Sequence, residues 1–318
     1  MNLIMTVGGL VLLVIAGDLL VRGAVALSLR LGIPALVVSL TIVAFGTSAP
    51  ELLIAIKAAL DNLPGIAYGN VVGSNIANVL LVIGLPALLA TIRTKECDTR
   101  RSYVQMIGAS VLFIGLCAVA PLGVWHGIAL LAALAYVLFD AYRSAHAARH
   151  AGMDPKEELA ELEDAEPDMP VLKIALFLIV GLVGLPLGAN LLIEGAEAIA
   201  IRLGVSEAVI GLTLVAIGTS LPELATTIMA TLRRQADVVL GNVIGSNVFN
   251  LLAIMGVASF FGPLALPDGF LGFDLWVMLG SSLLLIPFVL GWFNVTRIWG
   301  VAFVGIYVGY ILLLLNTH

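Results

Sequence analysis

Long apolar runs alternate with short polar breaks along almost the whole chain. A helix needs about 20 mainly apolar residues to cross a bilayer. On that ruler the pattern predicts ten spans, roughly 3–28, 36–60, 67–91, 103–120, 123–143, 171–199, 207–231, 238–261, 270–290 and 296–315. The expected fold class is an all-α integral membrane protein with ten transmembrane helices. One long hydrophilic stretch, residues 144–170, interrupts the series. It carries Glu157, Glu158, Glu161, Glu163, Asp164, Glu166 and Asp168. Such a charge run reads as a solvated linker, and it lacks the spacing of an EF-hand.

The chain also repeats itself. At an offset of 172 residues, Gly23 matches Gly195, Arg30 matches Arg202, Pro50 matches Pro222 and Glu51 matches Glu223. Residues 41–84 align with 213–256 without a gap. The expected organisation is a first five-helix unit over 1–143, the acidic linker over 144–170, and a second five-helix unit over 171–318. Five is odd, so the second unit enters the membrane from the opposite face, as an inverted repeat. Loops after the odd-numbered spans carry Arg30, Arg93, Lys95, Arg100, Arg101, Arg143, Arg149, Lys156, Lys173, Arg233, Arg234 and Arg297. The other side has only Lys57 and Arg202. The positive-inside rule then places the linker in the cytoplasm and both termini outside, for a multi-pass protein of the cell (inner) membrane.

Composition agrees. The 318 residues are 61% hydrophobic and 11% charged, where soluble domains carry about 25% charged residues. The net charge of −6 gathers in the linker and offers nothing to nucleic acid. Two cysteines, Cys97 and Cys117, make neither a disulfide framework nor a thiolate metal site. His126, His146, His150 and His318 lie in loops or at ends, so a histidine-ligated metal is not expected. The apolar start has no basic leader and reads as a first span, not a cleaved signal. Asp18 and Arg22, one turn apart, are expected to pair.

The chemistry concentrates in two motifs, each present twice. Gly46–Glu51 reads GTSAPE and Gly218–Glu223 reads GTSLPE. A carboxylate inside an apolar span needs a partner, a proton or a cavity. Thr47 and Glu51 share a helix face, with Ser48 three residues from Glu51. Pro50 and Gly46 break the helix, and the freed carbonyls of Phe45, Gly46 and their neighbours must face protein or a cavity. Ala216, Ile217, Thr219, Ser220 and Glu223 repeat the set. Carbonyls, hydroxyls and a carboxylate together suit hard cations such as Ca²⁺ and Na⁺. Two acids balance one divalent ion, and without it they repel, so protons compete at acidic pH. The second motif is GNVVGSNIAN from Gly69 and GNVIGSNVFN from Gly241. Its amides and hydroxyls either bond helices together or bind the cation. The first role is favoured for Asn70, Asn75, Asn242 and Asn247, the second for Ser74, Asn78, Ser246 and Asn250.

These repeats resemble the two α-repeats of the cation/calcium antiporter superfamily, most closely its prokaryotic sodium/calcium exchanger branch. The resemblance implies an antiporter that moves Na⁺ inward and Ca²⁺ outward by alternating access. It implies no enzyme activity, no cofactor and no obligatory oligomer, with the lipid bilayer and the transported ions as partners. Carried onto this chain, Glu51 and Glu223 bridge Ca²⁺, and Thr47 and Thr219 add backbone oxygens. Ser48, Ser220, Ser74, Ser246 and the carbonyls of Ala44 and Ala216 line flanking Na⁺ sites. Asn78 and Asn250 complete the centre. Spans one and six look like a sliding gate pair, with Gly23 and Gly195 allowing close packing. Some relatives have Asp where this chain has Asn250, which bears on stoichiometry and K⁺. A proton-coupled branch also uses paired glutamates, so H⁺/Ca²⁺ exchange is the alternative. A cation channel and a two-carboxylate hydrolase are the readings from other classes. Counter-ion-dependent flux separates them.

Overall fold

Helix follows helix from Asn2 to Thr317 in the computed structural model, which describes residues 2–119, 121–150, 169–202, 218–267 and 269–317. We label the helices α1 (Asn2–Leu31), α2 (Ala35–Thr47), α3 (Ala49–Leu60), α4 (Pro64–Leu89), α5 (Arg100–Val119) and α6 (Val124–His150). They continue as α7 (Val171–Arg202), α8 (Leu221–Leu232), α9 (Ala236–Ala258), α10 (Asp274–Val289) and α11 (Arg297–Thr317). Among the described residues, seven helices are long and apolar enough to cross a membrane, or eight when α2 and α3 count as one bent span. The span expected at 270–290 is a shorter apolar helix, α10, that breaks near Leu284. The span expected at 207–231 is described only from Gly218, and linker residues 151–168 lie outside the described residues.

Local chemistry sets where the helices end. Gly32 closes α1 at φ 65°, with Ile33 N–H bonded back to Ser28 O at 3.1 Å. That is a glycine helix stop, and Pro34 follows it. The stops after α3 and α8 fall 172 residues apart and share one geometry. Asn62 has φ 55° and Arg234 φ 56°. The next N–H groups, of Leu63 and Gln235, both bond carbonyls five residues back at 2.8 Å. Asn tolerates this left-handed conformation; Arg does so less readily.

Helices α4 and α9 form the middle of the molecule. Their most apolar windows are 83% and 94% buried, against 22–39% for α1, α5, α6, α7 and α11. In a bilayer the outer helices meet lipid, which matches their exposed leucines and valines and exposed Trp125, Trp276, Trp292 and Trp299. Helix α9 lies directly on α2 because its small-residue face lets the backbones meet. A Cβ on Gly241 would sit 2.9 Å from Leu36 O, and one on Gly245 would sit 2.6 Å from Leu40 O. Helix α1 runs antiparallel along α7 through a similar seam. A Cβ on Gly9 would meet Gly188 O at 2.7 Å, one on Gly23 the Leu178 side chain at 3.1 Å, and one on Gly195 Thr6 N at 2.6 Å. Asp18, expected to pair with Arg22, is held by Arg233 Nε from the end of α8; Arg22 lies over the Phe177 ring. Two loop pairings cross between the repeats, Ile92 with Val295 and Leu122 with Leu264.

The contact at Gly245 is with backbone, so a side chain there cannot be absorbed by a rotamer change. Gly245→Val is expected to cost about 1–3 kcal/mol, the usual range for overpacking, read as a lower unfolding midpoint in detergent. Gly305→Val, where nothing lies within 4 Å, should stay within about 0.5 kcal/mol of the parent.

Candidate functional site

Four helical segments bring the two motifs together at the centre. The α2–α3 pair bends by 46° at Ser48, whose φ and ψ are −86° and 5°. Ser220, before α8, has −87° and 4°. Pro50 and Pro222 follow at the second helical position, and each denies an N–H to the carbonyl four residues back, at Gly46 or Gly218. Opposite these breaks, α4 and α9 each widen by one residue per turn. Val82 N–H bonds Ala77 O at 2.9 Å, and Phe249–Ile254 is a π-helix. Ala77 and Phe249 are repeat equivalents. Asn78 and Asn250 sit at these widened turns, a backbone feature found often at functional sites. A further widened turn spans Ser39–Val43 in α2.

Glu51 and Glu223 are 0% and 1% exposed. Among the described residues neither meets an arginine or lysine; the ion pairs there involve Asp18, Glu96 and Asp140. Ser48 Oγ donates to Glu223 Oε1 at 3.1 Å, joining the first motif to the second. Thr47 Oγ1 lies 3.3 Å from Ala44 O and 3.4 Å from Asn242 Oδ1. The Ala44 carbonyl also accepts from Ser48 N–H at 3.1 Å. Thr219 is half-buried in the turn before α8, and Ser74 is buried on α4. Ala216 lies outside the described residues.

The asparagines divide by task. Asn70 Nδ2 donates to Glu51 O at 3.2 Å, and Asn242 Nδ2 to Glu223 O at 3.3 Å. Each therefore ties its helix to the backbone that carries an acid. Asn242 Nδ2 also reaches Thr227 Oγ1 at 3.2 Å, a residue outside both motifs. Asn78 Nδ2 donates to Asn247 Oδ1, and Asn250 Nδ2 to Asn75 Oδ1, both at 3.1 Å. These two bonds exchange under the 172-residue offset, so they form a reciprocal pair between α4 and α9.

What remains is a set of buried oxygens with no hydrogen-bond partner among the described residues: both oxygens of Glu51, Glu223 Oε2, Asn78 Oδ1, Asn250 Oδ1, Ser220 Oγ and Ser246 Oγ. A buried polar atom left unpaired costs about 1–3 kcal/mol, more when charged. All of these are oxygens, and two of the side chains are acids, so the group can hold a hard cation with its charge balanced. No cluster of three or more His, Cys, Asp or Glu occurs among the described residues, which leaves neutral oxygens as the remaining donors.

The family model described as sodium/calcium exchanger protein matches residues 1–142 and 173–316. The chain belongs to the sodium/calcium exchanger family. It lies with the cation/calcium antiporters, as the motifs imply. The putative antiporter CaxA of Alkalimonas amylolytica is 36% identical over 97% of each chain. The sodium/calcium exchanger MaX1 of Methanosarcina acetivorans is 32% identical over 98% of each. A solved structure of the sodium-calcium exchanger NCX_Mj, soaked with zero Na⁺ and Ca²⁺, superposes with TM-score 0.80 at 30% identity, covering 98% of both chains. The all-helical membrane fold is thus the fold of that exchanger.

The carbonyl ties predict an unequal pair of losses. Asn242→Ala strips donors from two buried acceptors and should cost about 1–3 kcal/mol of unfolding free energy. Asn70→Ala strips one, at a half-buried position, and should cost less. Thermal unfolding of the two purified variants beside the parent checks the order.

Proposed function

We propose that the chain is a secondary active antiporter that exchanges Na⁺ for Ca²⁺ by alternating access. The observation that carries this reading is the set of buried oxygens that, among the described residues, have no hydrogen-bond partner, together with two buried acids that no described lysine or arginine pairs with. Ca²⁺ bridges Glu51 and Glu223, with Asn78, Asn250 and the backbone at Thr47 and Thr219 completing its shell. Na⁺ takes flanking positions at Ser48, Ser74, Ser220, Ser246 and the Ala44 and Ala216 carbonyls. The two ions share ligands, so each displaces the other. The empty site carries uncompensated charge in a low-dielectric interior, which penalises its crossing. That penalty couples the two fluxes.

The same reading takes the chain as ten spans in two inverted five-helix units, 1–143 and 171–318, with residues 144–170 cytoplasmic and both termini outside. Matching backbone angles at Ser48 and Ser220 and at Asn62 and Arg234 support it, as does the antiparallel run of α1 along α7. The protein is a transporter without a cofactor. H⁺ is the competing counter-ion, because a pair of acids without a protein cation accepts whichever cation arrives.

Ca²⁺ flux into proteoliposomes, driven in turn by Na⁺ and by H⁺ gradients, tests the coupling. A Na⁺ gradient should drive uptake; flux without any counter-ion gradient would mean a channel. Glu51→Gln and Glu223→Gln should each reduce exchange to background, since either change leaves Ca²⁺ with one negative charge. Retained exchange in both would remove the site from consideration. Lowering pH should also slow uptake, because protons occupy the oxygens that Ca²⁺ needs. Uptake that rises as pH falls would contradict this sign.

A further inference from the structure

Two methionines on the flanking helices make contacts that the transport site does not itself use. Asn75 Nδ2 donates to Met278 Sδ at 3.6 Å, and Asn247 Nδ2 to Met106 Sδ at 3.7 Å. Met106 is on α5 and Met278 on α10, 172 residues apart, and both are fully buried. Their carbonyls are held alike: Ser110 Oγ donates to Met106 O at 3.0 Å and Ser282 Oγ to Met278 O at 3.1 Å. The arrangement therefore repeats in backbone and side chain.

A thioether accepts a hydrogen bond and has none to donate. That gives each relay a direction. Met278 draws the NH₂ of Asn75, so Asn75 Oδ1 turns to the other side and accepts Asn250 Nδ2. Asn250 Oδ1 is then left buried with no hydrogen-bond partner among the described residues. In the mirrored relay Met106 draws Asn247 Nδ2, Asn247 Oδ1 accepts Asn78 Nδ2, and Asn78 Oδ1 is left over. An amide reversed at either end would offer N–H groups where a cation needs oxygen. We infer that Met106 and Met278 are positioning residues whose acceptor-only sulfurs orient the Asn78 and Asn250 amides, so that both present oxygen to the transported cation. This rests on the cation site proposed above.

The relays differ in one respect. Asn247 Nδ2 has a second acceptor, Asn75 O at 3.4 Å, whereas among the described residues Asn75 Nδ2 donates to Met278 Sδ alone. Met278→Leu should therefore matter more than Met106→Leu. Leucine replaces methionine at nearly constant volume and removes only the acceptor.

The test is the Ca²⁺ concentration dependence of Na⁺-driven ⁴⁵Ca²⁺ uptake by the full chain in proteoliposomes. Loss of a group that orients a metal ligand typically lowers affinity about 10–100-fold, so Met278→Leu should raise the KM for Ca²⁺ by about tenfold. Met106→Leu should raise it less. In an Asn250→Asp background the Met278→Leu effect should vanish, because a carboxylate presents oxygen from either side. An unchanged KM in Met278→Leu would overturn the proposal. So would an equal loss in the Asn250→Asp background, which would mark a packing defect. Glu51→Gln in the same assay separates the two levels of the argument. If it transports like the parent, the cation site is wrong and the relays lose their purpose with it. If it is dead while Met278→Leu matches the parent, the relays alone fall.

Discussion

Two buried carboxylates, Glu51 and Glu223, with no lysine or arginine paired to them among the described residues, constrain everything else in this molecule. Burying one unpaired acid costs several kcal/mol, and the mutual repulsion of two adds to it. A protein built for stability alone would neutralise the pair or replace it with packed apolar groups. Here the surroundings supply a serine hydroxyl to one acid and, among the described residues, no hydrogen bond to the side chain of the other. In the transport reading proposed above, a visiting cation supplies the charge that the protein does not. That dependence on a visitor turns a folding liability into a transport mechanism.

Holding such a pair in place requires stiffness around it. The acids sit just after helix breaks, where carbonyls are freed but the chain is committed by Pro50 and Pro222. Asparagine amides from α4 and α9 grip the backbone of each acid. Close packing of α9 on α2 then locks the distance, because glycine at 241 and 245 lets main chain meet main chain. Unlike the acids, these contacts are satisfied within the protein, so they contribute rigidity whether or not an ion is bound.

Much of this was legible in the residues. An acid, a proline and two hydroxyls within six positions of an apolar run can hardly be read as anything but a broken, oxygen-rich helix, and the bend falls at Ser48. The tie of Asn70 and Asn242 to backbone also follows the bonding role favoured from their spacing. Other features were not legible, for physical reasons. The widened turns at 39–43 and 249–254, mostly apolar with Ser39 and Thr41 in one and Asn250 in the other, have no sequence signature of their own. The partner of Asp18 comes from a helix far along the chain, and helical spacing reports only neighbours one turn away. Nor does periodicity reveal which way an amide faces. That is decided by a sulfur on another helix, at a position that reads simply as core.

The paired loops carry a consequence for biogenesis. Ile92 and Leu122 belong to the part of the chain made first, yet their backbone partners, Val295 and Leu264, are synthesised after the acidic stretch has left the ribosome. Until then the nascent half holds open amide and carbonyl groups at its rim. These two pairings can therefore close only after the later partners have been made.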